Sequence, residues 1–194
     1  MGVLAKALAA AAAGHLGLTV LSLGTGVLRR RPKPSAAQPK AKPCEPCSRQ
    51  HTVLKTVAKM YSGGGVTSAI CADDVEFEDP AALCHGAEEV VEAFRALKVC
   101  KPEHLTAPAL AADSGDGRSA PVVVLLHQRY FGFLEVHSVQ CVTLAADGRI
   151  RRFEERWNCA PLTQLALPGA YDLARASRRL NGLVSYAGTR AVVK

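Results

Sequence analysis

Along Arg149 to Cys159, RIRRFEERWNC, a carboxylate stands between two large aromatic residues at every second position: Phe153, Glu155, Trp157. Side chains alternate along a strand, so these three share one face if the segment is extended. A carboxylate between apolar walls has its ionised form disfavoured, which raises its pKa toward working pH and suits it to move a proton at a carbon acid. His127 and Tyr130, on the strand upstream, could hold or protonate a developing oxyanion.

The element that must position Glu155 is a hairpin. Residues 132 to 146, GFLEVHSVQCVTLAA, run into Asp147-Gly148 and then into the segment above. Asp-Gly between alternating runs predicts a type I′ turn, with both residues at positive φ. Counting outward from that turn pairs Val142 with Phe153, Gln140 with Glu155, Ser138 with Trp157 and Val136 with Cys159 on one side. Thr143 with Arg152, Cys141 with Glu154, Val139 with Arg156 and His137 with Asn158 fall on the other. The first side is apolar with a little polarity, and it is expected to line a core or pocket.

Pro121 to Tyr130, with its run VVVLL, reads as the preceding strand. A tight turn that pairs Tyr130 with Phe133 brings His127 to the inner face beside Ser138, Gln140, Glu155 and Trp157. A one-residue change in that turn brings Gln128 inside instead. The candidate catalytic residues are therefore Glu155 as base and His127 as partner. The candidate ligand-binding residues are Gln140, Ser138, Trp157, Phe153, Tyr130 and Asp79. Each has a plainer reading. Glu155 can lie near the pocket mouth, solvated or bonded to Gln140 or Arg129. Asp79, before Pro80, can simply close a turn. Phe153 and Trp157 are core in any reading and become ligand walls where a cavity is left. Asp74 and Glu78 read as solvated carboxylates at a strand edge.

Other chemistries find little support. Cys44-Glu-Pro-Cys47 has the spacing of half a zinc site or a redox pair, but no second such pair follows and no His adjoins Cys47. The remaining cysteines, Cys71, Cys84, Cys100, Cys141 and Cys159, are scattered on apolar faces as reduced core thiols are. Gly63-Gly64-Gly65 lacks the Lys-Ser/Thr of a phosphate loop and follows a helix pattern. Neither metal nor cofactor is expected.

The net charge of +7 on 194 residues suggests nucleic acid until it is located. Residues 1 to 43 contain seven basic residues and no acid, and the remaining 17 basic and 17 acidic residues cancel. A basic footprint for nucleic acid on the folded part is not expected. Ala7 to Leu28 carries no formal charge, enough for a helix of about 33 Å against a hydrocarbon core of about 30 Å. Residues 1–31 are expected to form a hydrophobic leader acting as a single-pass membrane anchor through 7–28. Arg29 to Lys33 outweigh Lys6, which puts the C-terminal domain on the cytosolic side. An organelle-targeting segment that is cleaved, or a cleaved secretory signal, are the alternatives. Residues 32–47, with five prolines, read as an extended linker.

From Ser48 the pattern gives a helix capped by Ser48 and stopped by the glycine triplet, with Leu54, Val57, Ala58 and Tyr61 on one stripe. A short helical turn at Thr67 to Cys71 follows, then a brief strand through Val75 and Phe77. The next helix starts near Gly86, with Glu88 and Glu89 in its first turn, and buries Val90, Phe94 and Leu97. His104 to Ala111 reads as an edge strand, followed by the strands already described. Tyr171 to Leu180 reads as a last helix before a loose tail. The order α, short β, α, then four strands implies an α+β fold, helices packed on a strongly curved antiparallel sheet and preceded by the N-terminal hydrophobic helix.

Phe77-Glu78-Asp79-Pro80, followed by the helix Gly86-Ala-Glu-Glu-Val90-Val-Glu-Ala-Phe94 and a last strand carrying Trp157, resembles the SnoaL-like branch of the nuclear transport factor 2-like superfamily. The resemblance covers about 48–161, leaving 162–194 as a C-terminal helix and tail. It implies a cone-shaped barrel. It does not fix a function, because such cones serve cyclases, isomerases, epoxide hydrolases, ligand binders and dimerisation modules. The catalytic Asp that the cyclases place on an inward strand has no counterpart, since the strands from Pro121 to Cys159 contain only Glu. Three expectations stand. The first is a membrane-tethered domain that binds a small apolar ligand or serves as a scaffold. The second is an isomerase, cyclase or hydrolase using Glu155 with His127. The third is a homodimerisation or protein-interaction module acting through Arg152, Glu154 and Arg156.

Overall fold

Ser48 caps the first helix as its sequence suggests: its Oγ accepts from the His51 amide at 3.1 Å, and α1 runs Arg49–Tyr61. The computed structural model describes residues 40–42, 48–62, 66–157, 162 and 171–192. The leader, the rest of the linker with Cys44 and Cys47, the glycine triplet and Cys159 lie outside them. No described helix is long and apolar enough to cross a membrane.

In chain order the strands are β1 (Ala41–Lys42), β2 (Cys71–Glu78), β3 (Leu83–His85), β4 (Glu103–His104), β5 (Ala109–Ala111), β6 (Val122–Tyr130), β7 (Leu134–Leu144) and β8 (Ile150–Trp157). The other helices are α2 (Ala87–Ala96) and α3 (Tyr171–Val192), with 3₁₀ turns at Ser68–Ile70 and Leu97–Cys100. The sheet order is β1-β5-β6-β7-β8-β2-β3, and β4 pairs with β6 beside β5. The fold is α+β, with three α-helices among the described residues, and the sheet is mixed rather than antiparallel throughout, because β2 lies parallel to β8. A parallel pair needs a long crossover, and here strands β3 to β7 intervene. Nothing local in β2 marks that direction. The stretch 104–111 is two short strands, not one, and β1 extends the sheet from within the linker by pairing with β5.

The core is where α1 and α2 meet the inner sheet face. Tyr61, Phe77, Phe94 and Phe153 form one aromatic cluster, with Phe94 and Phe153 stacked at 5.8 Å and Tyr61 edge-on to Phe94 at 5.2 Å. Such pairs contribute about 0.5–1.5 kcal/mol each beyond the area they bury. The buried stripe of α1 is Val53, Val57, Met60 and Tyr61, while Leu54 and Ala58 sit at its margin.

The chain end is the largest departure from expectation. In place of a short helix and tail, α3 continues for 22 residues and packs on α2 and β3. Its arginines explain the docking: Arg178 is buried and donates to Glu78 Oε1 through Nη2 at 2.8 Å. Arg175 reaches Glu76 at 2.9 Å, and Arg179 holds Glu89. Glu78 is thus buried in an ion pair, not solvated as expected. Gly182 allows the closest approach, since a Cβ there would lie 2.2 Å from the Leu83 carbonyl oxygen.

Candidate functional site

The β7–β8 hairpin pairs Ser138 with Trp157, Gln140 with Glu155 and Val142 with Phe153, as counted from the sequence, but it arrives there differently. The Gly148 amide bonds to the Ala145 carbonyl at 3.0 Å, and Gly148 has φ of 89° while Asp147 does not enter the positive range. This is a three-residue loop, one residue longer than a type I′ turn. The register then shifts between Leu144–Ile150 and Thr143–Arg152, skipping Arg151. The bulge restores the pairing that the shorter turn would have given.

No such compensation occurs at the other hairpin. Phe131 and Gly132 both take positive φ, 55° and 78°, and the loop holds Phe131 to Phe133, so Tyr130 pairs with Leu134. Gln128 therefore faces Val136 on the inside, where it is fully buried. His127 is moved to the outer face, opposite His137. The two imidazoles stack at 3.8 Å there, and His127 Nε2 lies 3.9 Å from Glu135 Oε2. Burial and the neighbouring His127 hold His137 below its ordinary pKa, against the opposing pull of Glu135. The pairing of His127 with Glu155 is corrected by one residue of loop length.

Between helices and sheet lies a partly open cavity of about 170 Å³. Its walls include Phe77, Phe94, Leu97, Leu134 and Trp157, its rim includes Phe131 and Cys100, and Ser185 of α3 contributes from one side. Two carboxylates, Asp79 and Glu155, are its charged lining. Of the expected site residues, Glu155, Trp157, Tyr130 and Asp79 line it. Gln140 and Ser138 lie one layer behind, and Phe153 is core.

Glu155 is 3% exposed. Tyr61 donates to its Oε2 at 2.7 Å and lies 3.2 Å from Gln140 Oε1, while Gln140 Nε2 donates to Ser138 Oγ at 2.9 Å. Tyr130 donates to Gln128 Oε1 at 2.9 Å, and Gln128 Nε2 donates to the Tyr61 carbonyl at 2.9 Å. Burial raises the Glu155 pKa, opposed first by the Tyr61 hydroxyl that donates to it and then by the polar groups standing near, Gln140, Ser138 and Trp157, none of which makes a hydrogen bond of good geometry to it. Glu155 Oε1 and Trp157 Nε1, both buried, have no hydrogen-bond partner among the described residues.

Asp79 does close the turn, its Oδ1 accepting from the amides of Ala81 and Ala82. It also faces the cavity. Burial and the nearby Glu155 push it up to about 7, against the pull of those two amides and of Arg178. Sequence reasoning missed Tyr61 as a site residue. The available signal was a tyrosine on the buried stripe of a helix, since a buried phenol must find a partner for its hydroxyl.

Elsewhere the chemistry is structural. Cys71 and Cys84 are buried thiols pushed up to about 11 and about 12 by desolvation. No cluster able to hold a metal ion occurs among the described residues. On the outer face, Arg152 pairs with Glu76 and Arg156 with Glu154 within the sheet itself.

Fold and site together define an α+β domain with a mixed sheet and a small, mostly apolar cavity with two carboxylates. Solved structures similar to it include an NTF2-like protein of unknown function from Cytophaga hutchinsonii, 12% identical over 60% of this chain and 95% of that one, with a TM-score of 0.45. The epoxide hydrolase/cyclase-like enzyme SalBIII of salinomycin pyran-ring formation is 17% identical over 57% and 91%, with a TM-score of 0.44. A steroid delta-isomerase from Pseudomonas aeruginosa is 22% identical over 75% and 97%, with a TM-score of 0.42. No protein-family model and no curated protein matches the chain.

Proposed function

We propose that the cone binds a small apolar molecule bearing one hydroxyl or carbonyl group, and that Glu155 and Trp157 meet that group. The observation that carries this reading is the buried acceptor Glu155 Oε1 and the buried donor Trp157 Nε1, both unpaired among the described residues and both on residues that line the cavity. Buried polar groups without partners cost about 1–3 kcal/mol each. A hydroxyl satisfies both, accepting from the indole and donating to the carboxylate. Size narrows the ligand further. A cavity of about 170 Å³ resembles an apolar cavity of about 150 Å³ that takes benzene, and is well below the ~300 Å³ at which drug-sized sites begin. One or two rings fit within it, and anything longer extends through the mouth.

The test is titration with 2-naphthol and with naphthalene. Preference for the alcohol by about tenfold, the worth of one net hydrogen bond, supports the reading, provided Glu155→Gln and Trp157→Phe each reduce it. Equal affinity for both compounds in the wild-type chain removes the polar part of the proposal.

A second reading, proton transfer next to a carbonyl, is favoured by the two carboxylates on one cavity. With Asp79 pushed up to about 7 and Glu155 raised as well, one can serve as base while the other stays protonated near neutral pH, which is the arrangement acid–base catalysis uses. Glu155 is the base in this reading and Asp79 the proton donor. Exchange of the α-hydrogens of 2-indanone in D2O, followed by NMR, decides it: exchange at the buffer rate, unchanged in Glu155→Gln, leaves a binding protein. Attachment to a membrane through residues 7–28, with the cone on the cytosolic side, remains part of the proposal and is checked by carbonate extraction of the full chain.

A further inference from the structure

Among the described residues, five large apolar side chains are strongly exposed, and three of them occupy one place: Val99 at 70%, Phe131 at 48% and Phe133 at 78%. They meet because the Phe131 amide donates to the Cys100 carbonyl at 2.6 Å, which ties the β6–β7 loop to the end of the 3₁₀ turn carrying Val99. The backbone is strained there as well. The two non-glycine residues with positive φ among the described ones are Lys101 at 48° and Phe131 at 55°, on either side of that hydrogen bond. For a bulky residue this conformation costs about 1–2 kcal/mol, and its effect is to present Phe131 and Phe133 outward, their rings 6.2 Å apart.

Two lysines, Lys98 and Lys101, stand exposed beside the aromatic tip. The neighbouring acids Glu103 and Glu135 are held by Arg129, at 3.5 and 2.8 Å. The patch is therefore an apolar point with unpaired positive charge around it. It also adjoins the cavity, since Phe131 belongs to both, and Leu97 and Cys100, on the turn that carries Val99, line the cavity.

We propose that this tip docks on an anionic bilayer surface, with Phe131 and Phe133 entering the headgroup region and the cavity mouth opening toward the lipid. Aromatic residues that enter the interface beside lysines that meet anionic headgroups are the composition of interfacial membrane contacts. A second copy of the chain fits less well, because self-pairing of the tip brings Lys98 and Lys101 against their own counterparts. The consequence is that an apolar ligand passes between bilayer and cavity without crossing water. Docking itself is independent of the ligand reading, and only this transfer rests on it.

The test uses the full chain in phosphatidylcholine/phosphatidylserine vesicles, with and without brominated acyl chains. Trp157 is the single native tryptophan, so the wild-type signal is subtracted from that of Phe133→Trp and of Ala146→Trp, the latter in the loop beyond the far end of β7. Docking is expected to blue-shift and quench the emission at position 133 while leaving position 146 unchanged. Lys98→Gln and Lys101→Gln are each expected to weaken the docked state about fivefold. Emission at 133 that stays red and unquenched overturns the proposal. So does equal quenching at both positions, or a blue shift without lipid accompanied by doubled mass, which would assign the tip to self-association. Titrating 2-naphthol on the same samples keeps failure of docking distinct from failure of the ligand site.

Discussion

Replacing Tyr61 by Phe removes a single oxygen from the floor of the cavity, and the cost is expected to depend on pH. The Tyr61 hydroxyl is buried and donates to Glu155 Oε2 at 2.7 Å, while Glu155 Oε1 has no partner among the described residues. Without that donor, a protonated Glu155 loses an ordinary buried hydrogen bond, about 1 kcal/mol. An ionised Glu155 loses a charge-assisted one, up to about 3 kcal/mol. Glu155 has its folded-state pKa raised by burial. Its contribution to stability is therefore complete below its unfolded value, about 4.3, and is lost as pH rises through the folded one. Tyr61→Phe moves the folded value further up by the difference, roughly one to one and a half units, so the loss continues over a wider range. Urea unfolding followed by circular dichroism is expected to give a cost of about 1 kcal/mol near pH 4.5 and a larger one near pH 8, reaching at most about 3 kcal/mol where Glu155 is ionised. In a Glu155→Gln background the pH dependence should vanish, since Gln accepts from Tyr61 without titrating. An equal cost at both pH values, or a larger one in acid, would refute the account of Glu155 as a buried carboxylate that ionises at the expense of the fold.

Asp79→Asn keeps the acceptor for Ala81 and Ala82 and removes a group pushed up to about 7. It should leave stability unchanged near pH 4 and raise it by about 2 kcal/mol near pH 8, about half of what the full shift implies because Asp79 and Glu155 titrate as a linked pair. Unfolding curves at the two pH values check this. Gly182→Ala places a methyl group 2.2 Å from the Leu83 carbonyl. A cost of about 1–3 kcal/mol is expected, with faster proteolysis within α3 than elsewhere. Arg178→Ala leaves the buried Glu78 with Arg152 at 3.7 Å and Arg175 at 4.0 Å. The loss should fall at the low end of the ~3–5 kcal/mol that an abandoned buried charge costs, as measured by thermal unfolding.

The inward set of the last hairpin was legible because the side-chain period of a strand is two and Asp147-Gly148 marks its bend. Even so, the agreement passed through a turn one residue longer and a bulge at Arg151, two offsets that cancel. At the preceding hairpin a single offset stood alone, and it exchanged His127 for Gln128. Loop length there depends on Phe131 accepting a positive φ, which its sequence does not announce and which its hydrogen bond to the distant Cys100 carbonyl supports. Asp79 was legible as a turn residue from Asp-Pro alone. Its second role, facing Glu155 across the cavity, required two segments 76 residues apart to meet.

By itself the sequence determined the local grammar: the Ser48 cap, the helix behind Glu88 and Glu89, the alternation that turns Glu155 inward, and the location of the net charge in residues 1 to 43. These follow from periodicity, capping and composition, which act over a few residues. Tertiary structure decided the parallel contact of β2 with β8, the docking of α3 through Arg178 and Gly182, and the presence of Tyr61 over Glu155. Each of these is a contact between segments far apart in the chain, and its energy exists only once the fold has brought them together.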